Sequence, residues 1–117
     1  MFSKDLTMSY LLDFYRELLT ERQYEVLALY FEDDLSLSEI ADELGISRQG
    51  VRHIIKKGEE QLRGYEERLG LASRFSDSKR TAAEIAKRLD ALYEKTSDGL
   101  ILSELDEIKR LTATLAE

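Results

Sequence analysis

Apolar residues recur along this chain at the three- and four-residue intervals of amphipathic α-helices, and the clearest stretch runs from Leu37 to Leu62. Leu37, Ile40, Ala41 and Leu44 share one face of a short helix that Gly45 can end by taking the left-handed conformation. Ile46 then plugs the space between two helices and Ser47 can cap the second through its side-chain oxygen. Val51, Ile54, Ile55, Gly58 and Leu62 form the buried stripe of that second helix. The small Ala41 lets the two helices cross closely, as a helix-turn-helix requires.

Upstream, residues 6 to 19 place Leu11, Phe14, Tyr15 and Leu18 at helical spacing. Thr20 with Gln23 reads as a capping box that opens a helix carrying Tyr24, Leu27, Ala28 and Phe31. Asp33 and Asp34 break that helix, and Ser36 with Glu39 is a second capping box at the start of the motif. Six of the ten aromatics fall between Tyr10 and Phe31, a period that reads as core packing rather than ligand stacking. Downstream, Gly64 and Gly70 are expected to bend or end the long helix. Thr81 with Glu84 reads as the cap of a further helix over 82 to 95, whose apolar side holds Ala82, Ile85, Ala86, Leu89, Leu92 and Tyr93, and Ser97-Asp98-Gly99 closes it. Ser103 with Asp106 reads as the cap of a last helix with Leu105, Ile108, Leu111 and Leu115 in one stripe and Ile101 just before it.

This pattern predicts an all-α fold: a helix-turn-helix domain over 1–70 with additional C-terminal helices in an extension over 71–117. The two helices between Leu6 and Phe31 already cover the motif, so the two apolar stripes of the extension need another surface. A homodimer through those C-terminal helices is expected, with folding back onto the core as the alternative.

Composition narrows the class. A chain of 117 residues is long enough to bury a core without staples, and the absence of cysteine excludes disulfides and thiolate metal sites. The absence of proline, with 35% charged and 43% hydrophobic residues, favours a compact helical protein over a disordered one. With no 18-residue apolar run and no charged-then-apolar leader, the chain is expected to be soluble and cytoplasmic, with no membrane partner.

The net charge of −7 argues against a general nucleic-acid coat, but it is unevenly spread. Residues 1 to 36 hold three basic and eight acidic residues, whereas residues 37 to 64 hold five of each. Between Ser47 and Gly58 there is no acid at all. There the second helix of the motif carries Gln49, Arg52, His53 and Lys56 opposite its apolar stripe, with Arg48 and Lys57 at the flanks. Arg and Gln at the start of such a helix suit base edges in a major groove, and flanking Arg and Lys suit phosphates. The bland reading is a solvated polar face. The single sign of charge at the recognition position favours nucleic acid. Arg68, Arg74, Lys79, Arg80, Lys87 and Arg88 make a second, looser basic region interrupted by acids.

Catalytic readings are weak. Glu32, Asp33 and Asp34 lack a histidine, a further ligand or a phosphate-cradling loop at a meaningful spacing and read as a polar turn. His53, the only histidine, has no acid at four-residue spacing and no nucleophile beside it, so it reads as a nucleic-acid contact or a surface residue. No enzyme, cofactor or metal site is expected.

Two resemblances rest on quoted residues. The stretch Leu19 to Leu62, LTERQYEVLALYFEDDLSLSEIADELGISRQGVRHIIKKGEEQL, resembles the fourth region of primary sigma factors, which reads promoter DNA with its helix-turn-helix. The rest of the chain does not resemble the sigma segments that melt DNA or clasp polymerase. The order and spacing of Ser9-Tyr10-Leu11-Leu12-Asp13-Phe14-Tyr15, Leu18-Leu19-Thr20, Leu29-Tyr30-Phe31, Asp33-Asp34, Ser36-Leu37, Glu39-Ile40-Ala41, Ser47-Arg48-Gln49 and Tyr65-Glu66 are similar to those of the YlxM family of small bacterial proteins. That resemblance implies a sigma-region-4-like bundle and a role in the signal recognition particle pathway. The chain departs from the family where Gly50 stands for a usual alanine and Arg52 for a usual aromatic. The implied partners are duplex DNA or the particle's RNA on the basic face, and the particle's GTPase protein on an acidic one. A DNA-binding transcriptional regulator unrelated to the particle is the other function the residues support.

Overall fold

The computed structural model describes residues 6 to 117. They form α1 (Leu6–Tyr15), a 3-10 turn (Arg16–Leu18), α2 (Glu21–Phe31), α3 (Leu37–Leu44), α4 (Arg48–Leu69), α5 (Leu71–Tyr93) and α6 (Gly99–Thr114), with no strand among the described residues. The chain divides into two compact units, one ending at Ala72 and the other running from Ser73 to Glu117.

In the first unit α4 is the element that α1, α2 and α3 all pack against. Its inward stripe, Val51, Ile55, Gly58 and Leu62, meets Met8, Leu11, Leu12 and Tyr15 of α1, Val26 and Leu27 of α2, and Ile40 and Ala41 of α3 in one buried cluster. Ile54 sits at the edge of that cluster, half-buried with Leu37 and Leu44. Gly58 is there for lack of a side chain, since a Cβ on it would lie 2.6 Å from Leu27 Cδ1 and 3.2 Å from Leu27 Cγ.

Local signals place the starts of the early helices. Thr20 accepts from the Gln23 amide at 3.1 Å while the Gln23 side chain accepts from the Thr20 amide at 3.0 Å, and Ser36 and Glu39 repeat the exchange. Gly45 takes φ 69°, ψ 33° and ends α3, and the Ser47 hydroxyl accepts from the Gly50 amide at 2.9 Å to open α4. The Asp33–Asp34 turn forms as expected, with Asp34 at φ 57° and the Leu35 amide donating to the Leu29 carbonyl. Of the early aromatics, Tyr15 is buried and Phe14, Tyr24, Tyr30 and Phe31 pack half-buried on the core.

Several sequence expectations are corrected. Leu18 is exposed, because the 3-10 turn after Tyr15 breaks the α-helical register that would have turned it inward. Gly64 neither ends nor interrupts α4, since a glycine in helical conformation with nothing within 4 Å of its would-be Cβ only weakens the helix, and Gly70 at φ 62° is where α4 stops. Thr81 does not cap a helix; it lies in the middle of α5, which starts ten residues earlier at Leu71. The reason is tertiary: the Leu71 amide donates to the Tyr15 hydroxyl at 3.2 Å and the Ala72 amide to Glu66 Oε1 at 3.1 Å, so distant side chains supply the cap. Ser97-Asp98-Gly99 opens α6 instead of closing α5, with Asp98 Oδ1 accepting from the Leu100 amide at 2.9 Å. Ser103 is therefore internal to α6, and Asp106 accepts from the Tyr93 hydroxyl.

In the second unit Ala82 and Leu89 on α5 and Leu105 and Thr112 on α6 are the buried positions, each pair seven residues apart. Lys109 Nζ lies 3.3 Å from Asp90, linking the two helices across the same hairpin. The expected stripe of α6 is thus split. Leu105 turns inward, whereas Ile101, Ile108, Leu111 and Leu115 remain exposed.

Two glycines of α4 should respond to alanine with opposite signs. Gly64→Ala gains about 0.5 to 1 kcal/mol of helix propensity, while Gly58→Ala loses about 1 kcal/mol net because overpacking against the fully buried Leu27 outweighs that gain. Urea denaturation midpoints at constant m-value check both. The Tyr15 phenol is pushed above its ordinary value, first by burial and then by the hydrogen bond it donates to Glu66 at 2.5 Å. As pH rises through about 10 the unfolded phenol ionises while the folded one stays protonated, so stability present at neutral pH is lost above that point. Tyr15→Phe is expected to cost about 1.5 to 3 kcal/mol at pH 7 and to flatten this alkaline slope by about one proton, measured by denaturant titrations from pH 7 to 11.

Candidate nucleic-acid interface

The outward side of α4 is made by the same helical period that makes its inward one. With Val51, Ile55 and Gly58 buried, Arg48, Gln49, Arg52, His53, Lys56 and Lys57 are all exposed over the first ten residues of the helix. Gly45 and Ser47 fix where this face begins, because the left-handed turn and the cap set the first residue of α4 at Arg48.

Among the described residues, no ion pair or side-chain hydrogen bond ties down any of these six side chains. Arg68 and Arg74 are likewise without a partner among the described residues, but most arginines elsewhere do find one. Arg22 pairs with Glu25 at 3.3 Å, Arg63 with Glu59 at 3.5 Å and Arg88 with Glu84 at 3.1 Å, and the Arg16 guanidinium stacks on Tyr24. In the looser basic region Arg80 also pairs with Asp77, so part of its charge is answered within α5.

Arg48, Gln49 and Arg52 line an open depression together with Leu37, the first residue of α3. His53, Lys56 and Lys57 lie outside it on the exposed helix surface. By its spacing Leu37 reads only as a core residue. Its half-buried position at the very start of α3 lets it serve the core and border the depression, and an apolar residue at a helical interval carries no signal for the second task. Chemically the face offers guanidinium and ammonium donors and one amide that both donates and accepts, a set matched to phosphate oxygens and base edges.

A different electrostatic feature lies at the end of α2. The Glu32 carboxyl is held above the usual carboxylate range by partial desolvation, then by a hydrogen bond with Asp13 and the like charges of Asp13 and Asp33, with Arg16 partly offsetting them. No helix among the described residues is long and apolar enough to cross a membrane.

Comparison with known proteins agrees with the helix-turn-helix fold. Residues 2–100 match the family model described as "UPF0122: Putative helix-turn-helix protein, YlxM / p13 like". A UPF0122 protein of Acetivibrio thermocellus is 47% identical over 100 residues, covering 83% of this chain and 86% of that protein. One from Halalkalibacterium halodurans is 40% identical over 111 residues, 93% of this chain and all of its own length, and one from Exiguobacterium sibiricum is 49% identical over 99 residues, 85% of this chain and 92% of its own. The chain belongs to the UPF0122 family of YlxM/p13-like helix-turn-helix proteins.

Proposed function

We propose that this chain is a non-enzymatic regulatory protein that binds duplex DNA by laying the first turns of α4 in the major groove. The observation that carries this reading is the exposed, unpaired and acid-free face from Arg48 to Lys57 on the second helix of the motif. Gln49 and Arg52 address base edges, with His53 beside them; Arg48, Lys56 and Lys57 address phosphates. Overall repulsion from a net charge of −7 limits indiscriminate binding, so affinity depends on close docking of this one face.

Four cations on the face imply a slope of log K against log salt of about −3 to −4 on duplex DNA. Lys57→Ala is expected to weaken all sequences alike and flatten that slope by about one unit, while Arg52→Ala costs about 1 to 3 kcal/mol on the preferred sequence. Fluorescence anisotropy with labelled duplexes from 50 to 300 mM salt checks both. If a variant with alanine at Gln49, Arg52, His53 and Lys56 binds its best duplex unchanged, the assignment fails.

A second reading, participation in the signal recognition particle pathway, is favoured by the crowded carboxylates of Asp13, Glu32 and Asp33, which would attract a basic protein surface such as one on the particle's GTPase protein. In this reading the α4 face holds the particle's RNA. Competition between that RNA and duplex DNA for the chain separates the two, since tighter binding of the RNA at equal salt selects the second.

We also infer a two-fold homodimer through α6. Ile101, Ile108, Leu111 and Leu115 are 48%, 43%, 52% and 50% exposed and follow one another at spacings of seven, three and four residues, a seam of the kind that packs against another helix. Along α6 the acids Glu104, Asp106 and Glu107 precede the cations Lys109 and Arg110, so an antiparallel second copy sets unlike charges against each other in addition to the pairs Lys109 makes with Asp90 and Arg110 with Glu107. Light scattering at micromolar concentration is expected to give the mass of two chains, reduced to one by Ile108→Asp with helical content unchanged. A one-chain mass for the native protein ends this reading.

A further inference from the structure

The depression at the start of the motif combines three polar side chains with one apolar one, and that mixture is more specific than a basic surface. Gln49 and Arg52 stand one turn apart on α4 and line, with Arg48, the space that Leu37 borders from α3. A backbone phosphate would be served by the arginines alone and would gain nothing from Leu37 or from an amide that accepts as well as donates. The major-groove edge of an A·T pair uses both. Adenine presents an acceptor at N7 and a donor at N6, the pattern a glutamine amide matches with two hydrogen bonds, and thymine presents a 5-methyl group that seeks apolar contact.

We infer that this depression is a base-pair reader selective for A·T, with the Gln49 amide on adenine and the Leu37 side chain against the thymine methyl. Arg52, one turn further along α4, addresses the guanine of a neighbouring G·C pair, and Arg48 holds the adjoining phosphate. The inference rests on the DNA-binding reading above and adds the base pair that the site selects.

The test uses the full chain and a duplex library randomised over about one helical turn. The native protein is expected to enrich A·T at one position by about tenfold or more over the other pairs. Gln49→Glu, on an exposed helix start where a carboxylate is tolerated, is expected to move that preference to C·G, because a carboxylate accepts from cytosine N4. Replacing the thymine at that position with uracil removes one methyl group, and should weaken the native protein about three- to fourfold while leaving Leu37→Ala indifferent. An unchanged preference in Gln49→Glu, or equal binding of thymine and uracil duplexes by the native protein, overturns the inference. Salt-dependent binding of all library members with no preference at any position overturns it while leaving DNA binding in place. Failure to bind any duplex ends both.

Discussion

Leu27 of α2 lying directly on Gly58 of α4 is the contact on which the geometry of the helix-turn-helix unit depends. Both positions are buried, and the glycine leaves no room for even one methyl group between the helices. That closeness sets the height at which α4 crosses α2, and because α1 and α3 pack on the same helix it sets their positions too. The stripe Val51, Ile55, Gly58 and Leu62 is therefore one rail against which three other elements are registered. The exposed basic face from Arg48 to Lys57 is its other side. A rotation of α4 that relieved crowding at Gly58 would turn Arg48, Gln49 and Arg52 away from their present direction, so packing and presentation are the same constraint.

The Gly45–Ser47 turn converts that constraint into a position for the site. Gly45 in the left-handed region lets its own amide and that of Ile46 both return to the Ala41 carbonyl, at 2.9 and 3.2 Å, closing α3 within one turn. Ser47 then begins α4 at once, so Leu37 and Arg48, eleven residues apart, border one depression. A longer or looser connection would leave the same side chains on the same helices without bringing them together.

What could be read from the sequence, and what could not, divides by the range of the interaction. Thr20 with Gln23, Ser36 with Glu39, Gly45 and Ser47 act on neighbours within four residues, and each element they start or stop was legible, as was the exposed face of α4. The start of α5 was not, because its cap comes from the Tyr15 hydroxyl across 56 positions and from Glu66, which no local pattern announces. Thr81 and Ser103 looked like caps by residue type, yet each lies inside a helix whose true beginning had already been satisfied elsewhere. Leu37 was legible as core and illegible as part of the site, since one apolar position at a helical interval cannot declare that its far side borders an open depression.

The start of α4 also departs from that of the two helices before it. Glu21 and Glu39 place negative charge in the first turns of α2 and α3, where the helix dipole favours it, but α4 has no acid in its first turn and begins with Arg48. Arg48, Arg52 and Lys56 then stand in one row at four-residue spacing, where like charges repel, each such pair costing about 0.2 to 0.5 kcal/mol. An acid at any of these positions would relieve the repulsion and pair as Glu84 does with Arg88 on α5. Placing cations where both the dipole and their neighbours oppose them weakens the helix and contributes nothing to the core. Such local conflict is expected where a surface is kept for a partner, and an anionic partner is the one that removes the conflict on binding, because its negative charge answers the dipole and the row of cations together.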